Sequence, residues 1–181
     1  TIFIKGVFGT LTMGDTDGAI DWAITEGVGN PGSIADDETA HAGYDGFAVM
    51  DGSQDGQIAR WDYTMGDLSV GVSAEVDDAG NDSSTVGFGV KYSTQGINFG
   101  VGVQNGEDGS ATAASVNTTV GTVAVGVAAY SIDYDTAADV DHVQLSLGTS
   151  MGASSFGVNF GTKSVAGAED VSGFGAAYKY D

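Results

Sequence analysis

The stretch DTDGAIDWAITE sets Asp15, Asp17, Asp21 and Glu26 along twelve residues. Carboxylates spaced like this are oxygen ligands for a hard cation, and the loop of the helix-loop-helix calcium motif is the natural pattern to test. That loop ends on a Glu at its twelfth position, where this chain has Glu26. It also needs a ligand at the fifth position and Gly at the sixth, but Ala19 and Ile20 stand there and the glycine falls early, at Gly18. The match is therefore partial. Asp15, Asp17, Asp21 and Glu26 remain loop acids that could draw in a divalent cation such as calcium. Without one, their mutual repulsion would raise some of their pKa values.

Other chemistries find less support. His41 and His142 are the only imidazoles, they lie far apart in sequence, and there is no cysteine, so a zinc site is not expected. No Gly-x-Ser-x-Gly elbow occurs among the serines. The glycine-rich GVGNPG (27–32) lacks the strand and helix that make such loops bind phosphate. The pair Asp36-Asp37, followed by Glu38, could serve as glycosidase carboxylates, but isolated acids of this kind are common in water-filled channels. Neither an enzyme nor a bound cofactor is expected, apart from calcium on the loop acids. The chain has 25 acids against 5 bases, a net charge of −20, which excludes the cationic footprint that nucleic acid requires.

These residues must be positioned by strands. The 181 residues include 30 glycines and one proline, with few leucines and no runs of helix formers. From residue 57 onward, apolar and polar residues alternate almost without interruption, the period of a β-strand. Strands are expected at 57–65, 68–76, 84–93, 97–104, 112–120, 122–132, 141–149, 153–162 and 171–180, after two short ones within 1–13. Tight links at Gly66-Asp67, 94–96, 121 and 150–152 alternate with longer acidic loops at 77–82, 105–111, 133–139 and 163–170. That is an antiparallel up-and-down meander with one tidy rim and one elaborate rim. Its strand lengths suit a tilted crossing of an outer-membrane hydrocarbon layer.

Parity assigns two faces. Trp61, Tyr63, Val70, Val72, Phe88, Val90, Phe99 and Val101 share the apolar one, and Arg60, Asp62, Ser73, Glu75, Lys91, Asn98, Gln104, His142, Gln144 and Asn159 share the other. All five bases, Lys5, Arg60, Lys91, Lys163 and Lys179, fall on the polar parity. Chance would do this about one time in thirty if the period-2 register is kept. The glycines opposite the apolar face read as room for a wide wet interior, and the register of 122–134 stays open. Trp61, Tyr63, Tyr92, Tyr178 and Tyr180 lie near strand ends on the apolar face, where amphipathic rings form an interfacial girdle. Ala113, Ala114, Ala124 and Ala128 are small enough for a flat contact between subunits.

Residues 14–56 show no sustained alternation, and a connection of that length is commonly functional. A short amphipathic helix is expected at 18–26, with Ile20, Trp22, Ala23 and Ile24 on its apolar side. The opening TIFIKGVFGTLTMGD, with Phe3, Gly6, Phe8, Gly9, Met13, Gly14 and Asp15, is followed by this long acidic excursion. Together they resemble the strand-turn-strand and third loop of general diffusion porins of the Gram-negative outer membrane, of the alphaproteobacterial trimeric type.

The resemblance implies an all-β transmembrane barrel of about 16 strands, of which about 11 are visible here, with residues 1–181 as one domain. It implies that loop 14–56 folds into the lumen and narrows it. Asp15, Asp17, Asp21, Glu26, Asp36, Asp37 and Glu38 then become acids of the constriction, and Arg60, Lys5 and Lys91 the opposing bases of the wall. It further implies passive, weakly cation-preferring passage of small hydrophilic solutes and ions, a homotrimer, and outer-membrane lipid and lipopolysaccharide as surroundings. The chain departs from the family in strand number and in ending Tyr180-Asp181 instead of on a terminal aromatic, so residues are expected to be missing at both ends. The alternatives are a non-transporting surface β-barrel or adhesin-like protein, and a soluble lectin-like sandwich.

Overall fold

The structure is a computed structural model that describes residues 1–28, 41–44, 46–47, 49–52, 56–76 and 84–180. Eleven strands form one sheet: β1 (Ile2–Gly6), β2 (Gly9–Gly14), β3 (Ile58–Met65), β4 (Leu68–Val76), β5 (Ser84–Thr94), β6 (Ile97–Gly106), β7 (Gly109–Val120), β8 (Val123–Tyr134), β9 (Val140–Met151), β10 (Ser154–Val165) and β11 (Val171–Tyr180). Each strand pairs antiparallel with the next in chain order, so the sheet is an up-and-down meander, unclosed between β1 and β11. No described helix is long and apolar enough to cross a membrane, which has no bearing on strands.

The register carries parity from strand to strand. Val72 lies opposite Phe88, Phe88 opposite Val103, and Val103 opposite Thr112, all on one face. That face is exposed although it is apolar: Phe88 is 46% accessible, Val101 51% and Phe174 67%. The other face is buried although it is polar, with Glu75, Thr85, Gln144, His142 and Ser146 each 2% accessible or less. A water-soluble sheet has the reverse distribution. Apolar-out and polar-in is the arrangement of a sheet with hydrocarbon outside it.

All five bases lie on the inner parity. Lys5 pairs through Thr10 to Asp62, Lys163 lies opposite His142, and Lys179 lies opposite Ser155. On the outer face, Trp61 and Tyr63 stack with centroids 6.0 Å apart, and the Trp61 indole N–H donates to the Phe8 carbonyl at 2.7 Å. Tyr92, Tyr178 and Tyr180 stand exposed near the same rim. At Gln95-Gly96 both residues take positive φ, 51° and 79°, as a two-residue type I′ hairpin requires.

Three readings change. The strands run further than their alternation, so the acidic loops shrink to 107–108, 135–139 and 166–170 among the described residues. The added residues, such as Asn105, Ser110 and Asp133, continue the outward face with polar side chains and therefore carry no hydrophobic period. The register of β8 resolves with Val123 and Val127 outside and Ala128, Tyr130 and Ile132 buried inside. Finally, Ala113 and Ala128 are buried on the inner face and unavailable to a neighbouring subunit.

Candidate functional site

The connection between β2 and β3 lies against the inner face. Its helix α1 (Ala19–Ala23) packs on β4, β5 and β6. The wall there is made of glycine. A Cβ at Gly89 would strike the Ala19 carbonyl, one at Gly100 the Ala23 carbonyl, and one at Gly71 would come within 2.8 Å of the Trp22 ring. The glycines of this wall are therefore the seat of a helix, and the space they leave is filled by protein instead of water.

Polar side chains of the wall then receive the loop backbone, whose amides would otherwise be buried without partners. Ser73 accepts from the Ala19 amide at 2.8 Å, Ser115 from Thr25 at 3.0 Å and Ser146 from Val28 at 3.1 Å. Gln144 donates its side-chain N–H to the Glu26 carbonyl. These bonds explain why α1 stops at Ala23 instead of continuing to 26. Ile24 is already extended (φ −88°, ψ 147°), and from there the chain follows the wall.

The distal part is held by β9, β10 and β11. His41 Nδ1 accepts from the Gly43 amide at 3.2 Å, so Nε2 carries the proton and donates to Asn159 Oδ1, also at 3.2 Å. His142 Nε2 meets the Gly43 carbonyl at 3.1 Å. The returning arm buries Phe47 edge-on against Tyr130, with centroids 5.2 Å apart. Phe47 and Met50 join Ile20, Ile24, Ala111, Ala113, Ala128, Tyr130 and Ile132 in a core between loop and wall. Glu26 ties the two arms, accepting from the Tyr44 hydroxyl at 2.8 Å and the Phe47 amide at 3.1 Å. The buried Glu75 carboxylate accepts from the Gly52 and Gly56 amides at 3.0 and 2.6 Å.

At the near end, Asp15, Asp17, Asp21 and Asp51 line a recess of about 300 Å³. Asp51 receives the Gly18 amide at 2.6 Å and the Gln104 side-chain N–H at 2.5 Å, so it holds the start of α1 to the returning arm. Burial, helped by the neighbouring carboxylates of Asp17, Glu26 and Asp51 and opposed by Arg60, pushes the Asp21 carboxyl up to about 7. Burial raises Asp51 to about 6, against the pull of its two hydrogen bonds.

The bases are not spread across an open lumen from these acids. Arg60 is buried behind the loop, where its Nη1 donates to the Asp17 carbonyl at 2.5 Å. Its guanidinium also lies 3.9 Å from the Asp17 carboxylate and 3.7 Å from that of Asp62. Lys91 Nζ sits 4.4 Å from the centre of the Trp22 ring, and Arg60 Cζ 5.8 Å from it. Lys5 is exposed on the edge strand β1. Asp36, Asp37 and Glu38 fall outside the described residues. Among the described residues, no group of three or more His, Asp or Glu is disposed to hold a metal ion, and the Glu26 carboxylate is engaged by Tyr44 and Phe47.

Sequence reasoning did not single out Asp51, Ser115 or the role of Trp22. Asp51 and Trp22 lie in a segment without period. Ser115 shares its parity with many wall serines, and only the path of the loop distinguishes it.

A meander apolar outside and polar inside, with a long connection packed onto its inner wall, has the construction of a channel-forming outer-membrane β-barrel. A family model described as Gram-negative porin matches residues 1–181, and the chain belongs to that family. Membership places it in the Gram-negative outer membrane. A porin structure refined at 1.8 Å is similar in fold, with TM-score 0.79 and 18% identity over 99% of this chain and 69% of that one. A multiple mutant of the Rh. blastica porin gives TM-score 0.67 and 16% identity over 99% of this chain and 65% of its own. A loop-deletion mutant of OmpT from Vibrio cholerae gives 0.61 and 12% over 95% and 64%. This chain thus spans about two thirds of the length of these structures. No curated protein sequence matches it.

Proposed function

We propose that the protein is a passive, weakly cation-preferring diffusion pore for small hydrophilic solutes and ions, with the connection 14–56 as its constriction. One observation carries the sign of the preference: the side chain of Asp17 is 63% accessible while that of its partner Arg60 is 10% accessible. Asp15 and Asp17 face water, and the nearest wall base, Arg60, lies beneath them. A surplus of carboxylates along a narrow aqueous passage favours cations over anions. In this reading the exposed Asp15 and Asp17 act on passing ions directly, the partly buried Asp21 adds to their field, and Glu26 and Arg60 hold the loop. Lipid and lipopolysaccharide cover the apolar belt, and three copies associate as the resemblance implies. The described turns at 107–108, 135–139 and 166–170 leave little surface for adhesion. Reversal potential across a planar bilayer under a salt gradient tests the proposal. A shift toward the cation equilibrium potential supports it. Anion preference would reverse the sign, and absence of conductance would refute the pore.

A further inference from the structure

The ring of Trp22 lies between the loop and two wall cations. It is half-buried on α1, and a glycine, Gly71, makes room for it on β4. Lys91 Nζ is 4.4 Å and Arg60 Cζ 5.8 Å from the ring centre, both within the range of a cation–π contact. Arg60 also has acidic partners, Asp17 and Asp62, within 4.0 Å. Lys91 has no carboxylate that close among the described residues, so the indole face is its near partner. The ring therefore occupies one side of the Lys91 ammonium, where an anion would otherwise sit.

We propose that Trp22 is a specificity-determining residue of the channel: it covers Lys91 and Arg60, keeping anions from pairing with the wall bases and leaving the loop acids to set selectivity. The proposal rests on the pore reading for its consequence, but the cover itself is a matter of geometry. The physical effect is one of distance. Attraction between unit charges falls inversely with separation, so holding an anion off by the thickness of a ring removes roughly half of the gain of contact in a water-filled passage.

The test uses the intact protein in planar bilayers under a potassium chloride gradient, with Trp22→Ala, Trp22→Phe and the double variant Trp22→Ala/Lys91→Met. In parallel, the rate at which acetic anhydride acylates Lys91 is read by mass spectrometry. Trp22→Ala lowers the cation-to-anion permeability ratio about two-fold, the order one uncovered charge produces in water, and speeds acylation of Lys91. Trp22→Phe falls between. The double variant moves the ratio back toward the wild-type value, because the uncovered Lys91 charge is gone while Arg60 keeps its partners Asp17 and Asp62. An unchanged ratio and unchanged acylation in Trp22→Ala, with a conducting wild type, overturn the proposal. Failure of the double variant to recover also overturns it, since a displaced helix would then be the cause. If the wild type does not conduct, the pore reading fails, while the acylation rates still decide whether Trp22 covers Lys91.

Discussion

Protonating Asp21 should tighten the inserted loop. Its carboxyl stands at about 7 against an ordinary 3.8, chiefly because it is buried. An acid raised in this way favours the docked state when protonated. The penalty is absent below about pH 3.8, grows as pH rises through the interval, and is complete above about 7. The rise corresponds to about 4 kcal/mol at 1.36 kcal/mol per pH unit, and solvent access at a channel wall reduces it to about 2 kcal/mol. Lowering the pH from 8 to 5 recovers only the part of this penalty that lies between those values, and should therefore stabilise docking about 10-fold. Asp51, raised to about 6, acts in the same direction. The amides of Trp22 and Ile24, which donate to the Gly18 carbonyl at 3.0 Å and the Ile20 carbonyl at 3.2 Å, report docking through hydrogen exchange. After correction for intrinsic exchange chemistry, their protection should rise as the wild type is acidified. In Asp21→Asn it should already be higher at pH 8, with only the smaller slope that Asp51 contributes. Identical pH profiles in the two proteins would refute the argument.

Three further outcomes follow from the wall. Gly89→Ala drives a methyl group into the Ala19 carbonyl, pushes α1 into the lumen and lowers single-channel conductance; unchanged conductance would mean the helix does not rest there. Glu75→Ala strands the Gly52 and Gly56 amides at a cost of about 1–3 kcal/mol each, so protease cleavage near residues 49–56 should accelerate while the barrel stays intact. Val101→Lys, on the outer face, should impair insertion into lipid vesicles by about 2–4 kcal/mol if it lies near the midplane. Asn98→Lys, on the inner face, should insert normally.

The meander was legible because a period of two needs only alternation, and Val70, Val72, Phe88, Val101 and Val103 supply it. Parity tells which face a residue occupies, but not what covers that face. The inner glycines looked like space for water and proved to be space for α1. Tyr130 and Ile132 blurred the register of β8 because the loop makes part of the inner wall apolar. The acids at 15, 17 and 21 were visible as a cluster, whereas Asp51 joins them only because Glu75 and Gln104 fix the returning arm. Arg60 was readable as an inward base, but its burial beneath Asp17 depends on the path of a segment with no period at all.

The central claim is that the sheet separates hydrocarbon from water, and the absence of cysteine allows a direct test by single nitroxide labels at Phe99→Cys and Asn98→Cys. The label at 99 should collide with oxygen dissolved in lipid and avoid a water-soluble nickel chelate. The label at 98, one residue along and exposed on the opposite face, should do the reverse. A label at 99 shielded from lipid, together with one at 98 shielded from water, would contradict the account.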